Sequence, residues 1–69
     1  MTEPVVYMRH VREAKLCRKD SRKWYERQGW VWSDFLANGI PAEKLIATGD
    51  PIVMAAVEAA RREAARGSA

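Results

Sequence analysis

Three glycine-containing breaks divide this chain into short segments: Gly29, residues 38–41 (Asn-Gly-Ile-Pro) and residues 48–51 (Thr-Gly-Asp-Pro). In each of the two later breaks, a proline stands two positions after the glycine. Glycine readily adopts the left-handed backbone that ends many helices, and proline suits the first turn of the helix that follows. The breaks therefore predict a series of short helices.

The aromatic residues predict where the core of this helical domain lies. Five of the six, including all three tryptophans, fall between Trp24 and Phe35. A chain this short buries only about 60% of its unfolded surface, so its core must be small and filled by large side chains. We predict that Trp24, Trp32 and Phe35 lie in the core and that Trp30 is the most exposed tryptophan.

Helical spacing and capping residues predict an all-α, compact single domain over residues 1–69, with four to five short helices and a longer C-terminal helix. The expected helices are residues 8–17, a segment from a cap at Asp20 or Ser21 to Gln28, a short helix capped by Ser33, another beginning at Pro41, and a last one from a cap at Asp50 to Arg66. Residues 1–7 are expected to be extended and residues 67–69 to fray.

The chain offers few groups for catalysis or metal binding. Cys17 is the only cysteine and His10 the only histidine, which excludes a disulfide within the chain and a zinc site built from Cys and His. On one helix these two side chains would lie about 10 Å apart along the axis, too far for a thiol–imidazole pair, and we interpret Cys17 as a small core residue. Ser33 has no histidine nearby to activate it. We therefore predict a non-enzymatic protein with no cofactor and no metal.

The sequence also predicts where the protein works. Its longest apolar run is too short to cross a bilayer, and its N-terminus lacks a basic segment followed by an apolar one. A single unpaired thiol suits a reducing compartment. We expect a cytoplasmic protein that does not bind a membrane.

Positive charge is concentrated in the first part of the chain. Residues 1–28 carry a net charge of +4, residues 29–50 carry −2 and residues 51–69 carry +1. Such a basic end attracts nucleic acid or an acidic protein surface, and charge alone does not separate these partners. For nucleic acid, the expected phosphate contacts are Arg18, Lys19, Arg22 and Lys23, beside aromatic rings on which bases stack. A helix-turn-helix drawn over residues 21–38 would have a short, slightly acidic second helix, which argues against sequence-specific reading of a major groove.

The alanine-rich last helix predicts a protein interface, because its apolar residues occupy two adjoining faces. The predicted interface residues are Met54, Val57, Arg61, Arg62 and Trp30. We expect Ala56 and Ala60 to be exposed on the same surface, which would join the chain to a partner or to a second copy of itself. The alternative is that the alanines only express helix propensity.

The pattern of caps and aromatic residues from about residue 8 to residue 60 resembles short proteins encoded in tailed-phage genomes and prophages. The residues that carry the resemblance are Val11-Arg12-Glu13-Ala14, Cys17, Arg22-Lys23-Trp24-Tyr25, Gly29, Trp32-Ser33-Asp34-Phe35-Leu36, Asn38-Gly39-Ile40-Pro41-Ala42-Glu43, Leu45 and Ala47-Thr48-Gly49-Asp50. The resemblance implies a setting in an infected bacterial cell. Phage proteins of this size are typically parts of the particle, such as connectors and assembly factors, or accessory proteins that bind and redirect a host protein.

These observations together predict a function in binding. We predict that the chain acts by protein–protein binding, with a host protein, a phage protein or a second copy of itself as the partner. A nucleic-acid-binding helical module that uses the basic N-terminal half is the alternative.

Overall fold

The computed structural model describes residues 3–67, which form five helices and a two-stranded antiparallel sheet. In chain order the elements are β1 (Val5–Val6), α1 (Met8–Glu13), α2 (Arg18–Arg27), α3 (Trp32–Asn38), β2 (Ile40–Pro41), α4 (Ala42–Ala47) and α5 (Pro51–Gly67). The prediction of a mostly helical, compact fold with a longer C-terminal helix is confirmed over these residues. The prediction of a purely all-α fold is wrong, because β1 and β2 pair. Of the tail predicted to fray, residues 68–69 lie outside the described residues and Gly67 ends α5.

The small sheet joins the N-terminal segment to the break between α3 and α4. Val5 pairs with Pro41 and Val6 with Ile40. Side chains alternate between the two faces of a strand, and accordingly Val6 is buried whereas Val5 is exposed. The prediction of an extended segment over residues 1–7 holds for Val5 and Val6, and its residues 1–2 lie outside the described residues. The pairing places Val6 in the core.

Gly39 is required where the chain turns from α3 into β2. Its φ is +74°, and a Cβ at this position would lie 2.7 Å from the Cγ1 of Val5 and 2.7 Å from the carbonyl oxygen of Val6. No side chain fits there unless β1 moves. The glycine therefore serves both the left-handed backbone and the close approach of β1.

We expect Gly39→Ala to lower the free energy of unfolding by about 2 to 3 kcal/mol, because the left-handed strain adds to the collision with β1. Gly29→Ala is the matched control, since Gly29 has a φ of +87° but no atom within 4 Å of a Cβ. The control should lose about 1 kcal/mol from backbone strain alone. Urea denaturation of both variants measures the difference, and equal losses would contradict the close contact at Gly39.

Aromatic rings form the centre of the core, as predicted for Trp32 and Phe35, which are both buried. Tyr25 of α2 packs against both rings, with its ring centroid 5.7 Å from that of Trp32 and 5.2 Å from that of Phe35. Aromatic pairs at such distances are favourable beyond the area that they bury. The buried apolar residues that complete the core are Val6, Val11, Ile40, Ala42, Leu45, Val53, Ala56, Val57 and Ala60.

Asp50 links α2 to the start of α5. One carboxylate oxygen accepts the backbone N–H of Ile52 at 3.0 Å, which confirms the predicted cap, and the other accepts the indole N–H of Trp24 at 2.7 Å. Since its polar edge reaches this carboxylate, Trp24 is only partly buried, and its prediction as a core residue is correct only in part. The hydrogen bond fixes α2 against α5 through a side chain close to the surface.

Helix α1 is shorter than predicted, which changes the position of Cys17. Lys15 adopts a left-handed φ of 60°, and the N–H of Leu16 donates to the carbonyl of Val11 at 3.2 Å. This geometry is a common way to close a helix, although the left-handed residue is usually glycine. The prediction that Cys17 is a core residue is wrong: the thiol is exposed, because the chain has already left α1.

Two predicted helix caps are also wrong. Asp20 and Ser21 lie inside α2, and Ser33 lies inside α3, because the residues that precede these helices are Cys17 and Val31. Both helices therefore begin one turn or less before the predicted caps.

Candidate interaction surface

Helix α2 concentrates unpaired positive charge on one element. Its ten residues hold five cations and two carboxylates, a net charge of +3 that equals the net charge of the whole chain. The exposed cations are Arg18, Lys19, Arg22, Lys23 and Arg27. Within residues 3–67, only Arg22 of this set forms an ion pair, a contact of 3.4 Å with Glu26. The set includes all four residues predicted to contact nucleic acid.

The spacing of these cations keeps like charges close together. Arg18 and Arg22 are four residues apart on α2, as are Lys19 and Lys23, so each pair lies on one face of the helix. Like-charged pairs at this spacing destabilise a helix by a few tenths of a kcal/mol. An exposed face that repels itself gains when an acidic partner neutralises it.

Several cations of α1 and α5, in contrast, form ion pairs within the fold. Arg9 contacts Glu63 at 2.8 Å, and Arg61 contacts Glu3 at 2.8 Å and Glu58 at 2.9 Å. Two further arginines of α5, Arg62 and Arg66, lie 4.0 Å from Glu13. Within residues 3–67, ion pairs thus concentrate between α1 and α5, whereas four of the five cations of α2 form none. Arg12 of α1 also forms no ion pair within these residues.

The turn between α2 and α3 places apolar side chains beside this basic helix. Val31 is 58% exposed and Leu36 is 43% exposed, and both line the same stretch of surface. Trp30 is partly buried, with its ring 5.1 Å from that of Tyr25. These residues line an open groove, here called the turn groove, formed by Arg22, Glu26, Gly29, Trp30, Val31, Trp32, Ser33 and Leu36.

The surface predicted on α5 is not assembled as expected. Val57 is fully buried, and Ala56 and Ala60 are 2% and 1% exposed, because α1, α4 and β1 all pack on this helix. Val57 is therefore not available to a partner, and the predicted exposure of the two alanines is wrong. The three elements α1, α4 and β1 together cover both apolar faces of α5.

The other predicted interface residues are dispersed. Met54 is partly buried against the core, and the guanidinium of Arg61 is held by two carboxylates. Arg62 is exposed near Glu13. Trp30 is the one that lies in the turn groove, and its role in an interface stays a prediction.

The single histidine serves the packing of α1 against α5. His10 is buried; its Nδ1 accepts the backbone N–H of Tyr7 at 2.9 Å and its Nε2 lies 2.5 Å from Glu63. Because Nδ1 accepts, a neutral His10 carries its proton on Nε2 and donates it to the carboxylate. Glu63 also receives two hydrogen bonds from Arg9, at 2.8 and 2.9 Å. Both ring nitrogens are thus engaged within the fold.

We expect this cluster to make the stability of the domain depend on acid pH. The hydrogen bonds from Arg9, and then those from His10, lower the pKa of Glu63 from its ordinary 4.5 to about 2. A carboxylate with a depressed folded pKa contributes stability above its unfolded pKa, and that contribution is lost as the pH falls toward the folded value. Unfolding by urea at several pH values should therefore show a fall in stability between pH 4.5 and pH 2.

Replacing Glu63 with glutamine should flatten that part of the profile. Glu43→Gln is the matched control, because Glu43 is an exposed carboxylate on α4 for which residues 3–67 provide no ion pair. If wild type and Glu63→Gln lose stability in parallel between pH 4.5 and pH 2, the cluster does not couple folding to pH.

Val31 and Leu36 are the residues that sequence reasoning missed. Both are apolar and stand next to buried aromatic residues, so the pattern favours placing them inside. The helical spacing gives no signal of the exposure of Leu36, because Leu36 is four residues from Trp32 and only about 40° from it around the helix. Its exposure therefore depends on how α3 packs in the folded protein.

Comparisons with known proteins add no relative. Within residues 3–67, none of the helices combines the length and the apolar character needed to cross a membrane. No protein-family model, no curated protein and no solved structure matches this chain.

Proposed function

We propose that this chain is a non-enzymatic binding protein and that its partner is another protein, which docks on the turn groove. The observation that carries the proposal is the exposure of Val31 and Leu36 beside Trp30. Contiguous exposed apolar side chains with a polar rim are typical of protein–protein contact sites. Tryptophan is also among the residues that most often dominate the energy of such contacts.

The charge of α2 defines the chemistry of the partner. Arg22 lines the turn groove, and the other cations of α2 continue from it along the exposed face of the helix. A partner that presents an apolar side chain flanked by acidic groups would fill the groove and neutralise this charge. Complementary charge speeds association and disfavours incorrect partners.

The same charge argues against a homodimer through this surface. A two-fold interface places the same patch of both copies together, so two α2 helices, each with a net charge of +3, would face one another. We therefore favour a partner of different sequence. The resemblance to small phage and prophage proteins supports either an accessory protein that binds a host protein or a component of the virion or its assembly, acting in the cytoplasm of an infected bacterial cell.

Nucleic-acid binding is the second candidate. It is favoured by the four cations of α2 that form no ion pair within residues 3–67, since exposed cations in rows bind phosphates without sequence preference. The aromatic ring on α2 beside these cations is less available for stacking. Trp24 is bound to Asp50 at 2.7 Å, and its ring packs against that of Trp30 at 6.1 Å, which leaves less of it for stacking on a base.

Affinity capture from a bacterial lysate, with and without nuclease, tests the proposal. The immobilised wild-type chain is compared with the double variant Val31→Ser and Leu36→Ser, which changes exposed side chains and should leave the fold intact. We expect a protein that is retained after nuclease treatment by the wild type and lost from the variant. Retention that disappears with nuclease and is unaffected by the variant would favour nucleic acid instead.

A further inference from the structure

The connection between α1 and α2, residues 14–17 and here called the hinge, has a helix-forming sequence but is not helical. Three of its four residues are alanine, lysine and leucine, which rank among the strongest helix formers. Residues 8–28 contain neither glycine nor proline, so local propensity favours one continuous helix over this range. Tertiary contacts, and not the residues of the hinge, therefore separate α1 from α2.

The bend at the hinge has two local costs. Lys15 has a φ of 60°, and among residues 3–67 it is the only residue other than glycine with a positive φ. Left-handed backbone is strained for a residue that carries a Cβ. In addition, α2 begins after Cys17 without a side-chain cap, although the first N–H groups of a helix have no partner within it. Both costs disappear when the hinge becomes helical, because its carbonyls then accept the first N–H groups of α2.

The segment before the hinge, residues 3–13, packs on α5 and pairs with β2. Its Val6 pairs with Ile40 and is fully buried. The carboxylate of Glu3 accepts two hydrogen bonds from Arg61, at 2.9 and 2.8 Å. A straight hinge carries this segment away from the body of its own chain, formed by α2 to α5. The body of a second copy offers the same surface and receives the segment with all of these contacts.

We propose that two copies of this chain exchange residues 3–13, with both hinges helical, so that α1 and α2 of each copy form one helix from Met8 to Arg27. Exchange of an identical element is a low-cost route to a dimer, and short strained hinges favour it. The closed monomer and the exchanged dimer differ mainly in the hinge and in the entropy of association, so the dimer grows with protein concentration. The turn groove lies outside the exchanged segment. The proposal therefore does not rest on the proposed function, and the dimer presents two turn grooves to partners.

Two substitutions of Lys15 that differ only in the Cβ test the role of the hinge. Both remove the charge, but Lys15→Gly relieves the left-handed strain of the monomer and weakens a continuous helix, whereas Lys15→Ala retains the strain and favours the helix. Because a dimer contains two hinges, its dissociation constant should be at least about a hundred-fold higher for Lys15→Gly than for Lys15→Ala.

Sedimentation over a range of concentrations measures these constants on full chains refolded from urea. A reducing agent prevents the exposed thiol of Cys17 from linking two copies, and salt at about 0.5 M screens the cations on either side of the two hinges. A wild type that sediments as a monomer at every concentration, or equal constants for the two variants, would overturn the proposal.

Reversing the ion pair between Glu3 and Arg61 shows whether the copies have exchanged their N-terminal segments. Either Glu3→Arg or Arg61→Glu alone places like charges at this contact, in the monomer and in a dimer of that variant. An exchanged dimer with one copy of each variant has opposite charges at both contacts. The two variants refolded together should therefore associate at least about ten-fold more tightly than either one alone. If the mixture associates no better than the separate variants, another surface joins the copies and the exchange is refuted.

Discussion

Replacing Ala60 with glutamate is expected to unfold the domain, whereas the same replacement at Ala55 should leave it folded. Ala60 is 1% exposed on the face of α5 that packs into the core, and Ala55 is exposed on the same helix. An unpaired carboxylate at a buried position costs several kcal/mol, and the larger side chain adds the cost of overpacking. A domain of this size has a total stability of about 5 kcal/mol, so the loss exceeds what the fold can absorb.

Helix propensity does not explain the expected difference, because both variants make the same exchange of alanine for glutamate within α5. Circular dichroism and urea denaturation of the two proteins provide the measurement. A cooperative melt for Ala60→Glu with wild-type midpoint would contradict the packing of α1, β1 and α4 around α5. Ala56→Glu, at a position only 2% exposed, should behave like Ala60→Glu.

The burial of these alanines could not be predicted from the sequence. The sequence shows that α5 has two apolar faces. A single contact with the rest of the domain would bury only one of them. The structure accounts for both because the N-terminal segment crosses back over the helix, with Val6 of β1 fully buried. That strand pairs with Ile40, more than thirty positions away. Strands of two residues are too short to show an alternating pattern, so their pairing depends on tertiary contacts.

Local sequence signals predicted many of the helix boundaries. The breaks at Gly29, Gly39 and Gly49 all have a positive φ, and the cap at Asp50 begins the longest helix as expected. The end of α1 was missed because Lys15 takes the left-handed position in which glycine is usual. Local propensity thus located the helix ends at the glycines and the start of α5, and failed at the end of α1 and at the starts of α2 and α3.

The sequence predicted the cations of the candidate surface, but it could not predict that most of them have no ion-pair partner. The basic first half of the chain is evident from composition, but it includes Arg9, which the fold neutralises with Glu63 at 2.8 Å. The acidic partners of the basic residues come from elements far along the chain, such as α5 for Arg9. Only the folded arrangement shows which cations have an ion-pair partner, as Arg9 does, and which have none within residues 3–67, as is the case for Lys19 and Lys23.

The largest effect on binding is expected from the apolar residues of the turn groove. Once a partner is identified, the double variant Val31→Ser and Leu36→Ser should weaken binding by about 2 kcal/mol, roughly thirty-fold, because each half-exposed aliphatic side chain that a partner covers contributes about 1 kcal/mol. Val31 and Leu36 are 58% and 43% exposed. Their loss should therefore change the dissociation rate and leave the thermal midpoint close to that of the wild type.

The cations of α2 should affect the same complex in a different way. The double variant Lys19→Gln and Lys23→Gln removes two unpaired charges of α2 beside the groove. The double variant Arg62→Gln and Arg66→Gln removes two charges of α5, both of which lie near Glu13 of α1. The net charge changes equally, so long-range effects of total charge cancel in the comparison. We expect the α2 variant to slow association and to reduce its dependence on salt, and the α5 variant to have little effect.

Affinity measured against salt concentration separates the two functions with these same proteins. For a protein partner, the serine variant should lose more affinity than the α2 variant. For nucleic acid the order reverses, because each phosphate contact removed lowers the slope of log affinity against log salt by about one. Binding that depends on Lys19 and Lys23 but not on Val31 and Leu36 would replace the protein partner with a phosphate backbone. Binding lost chiefly in the serine variant would identify the turn groove as the centre of a protein interface.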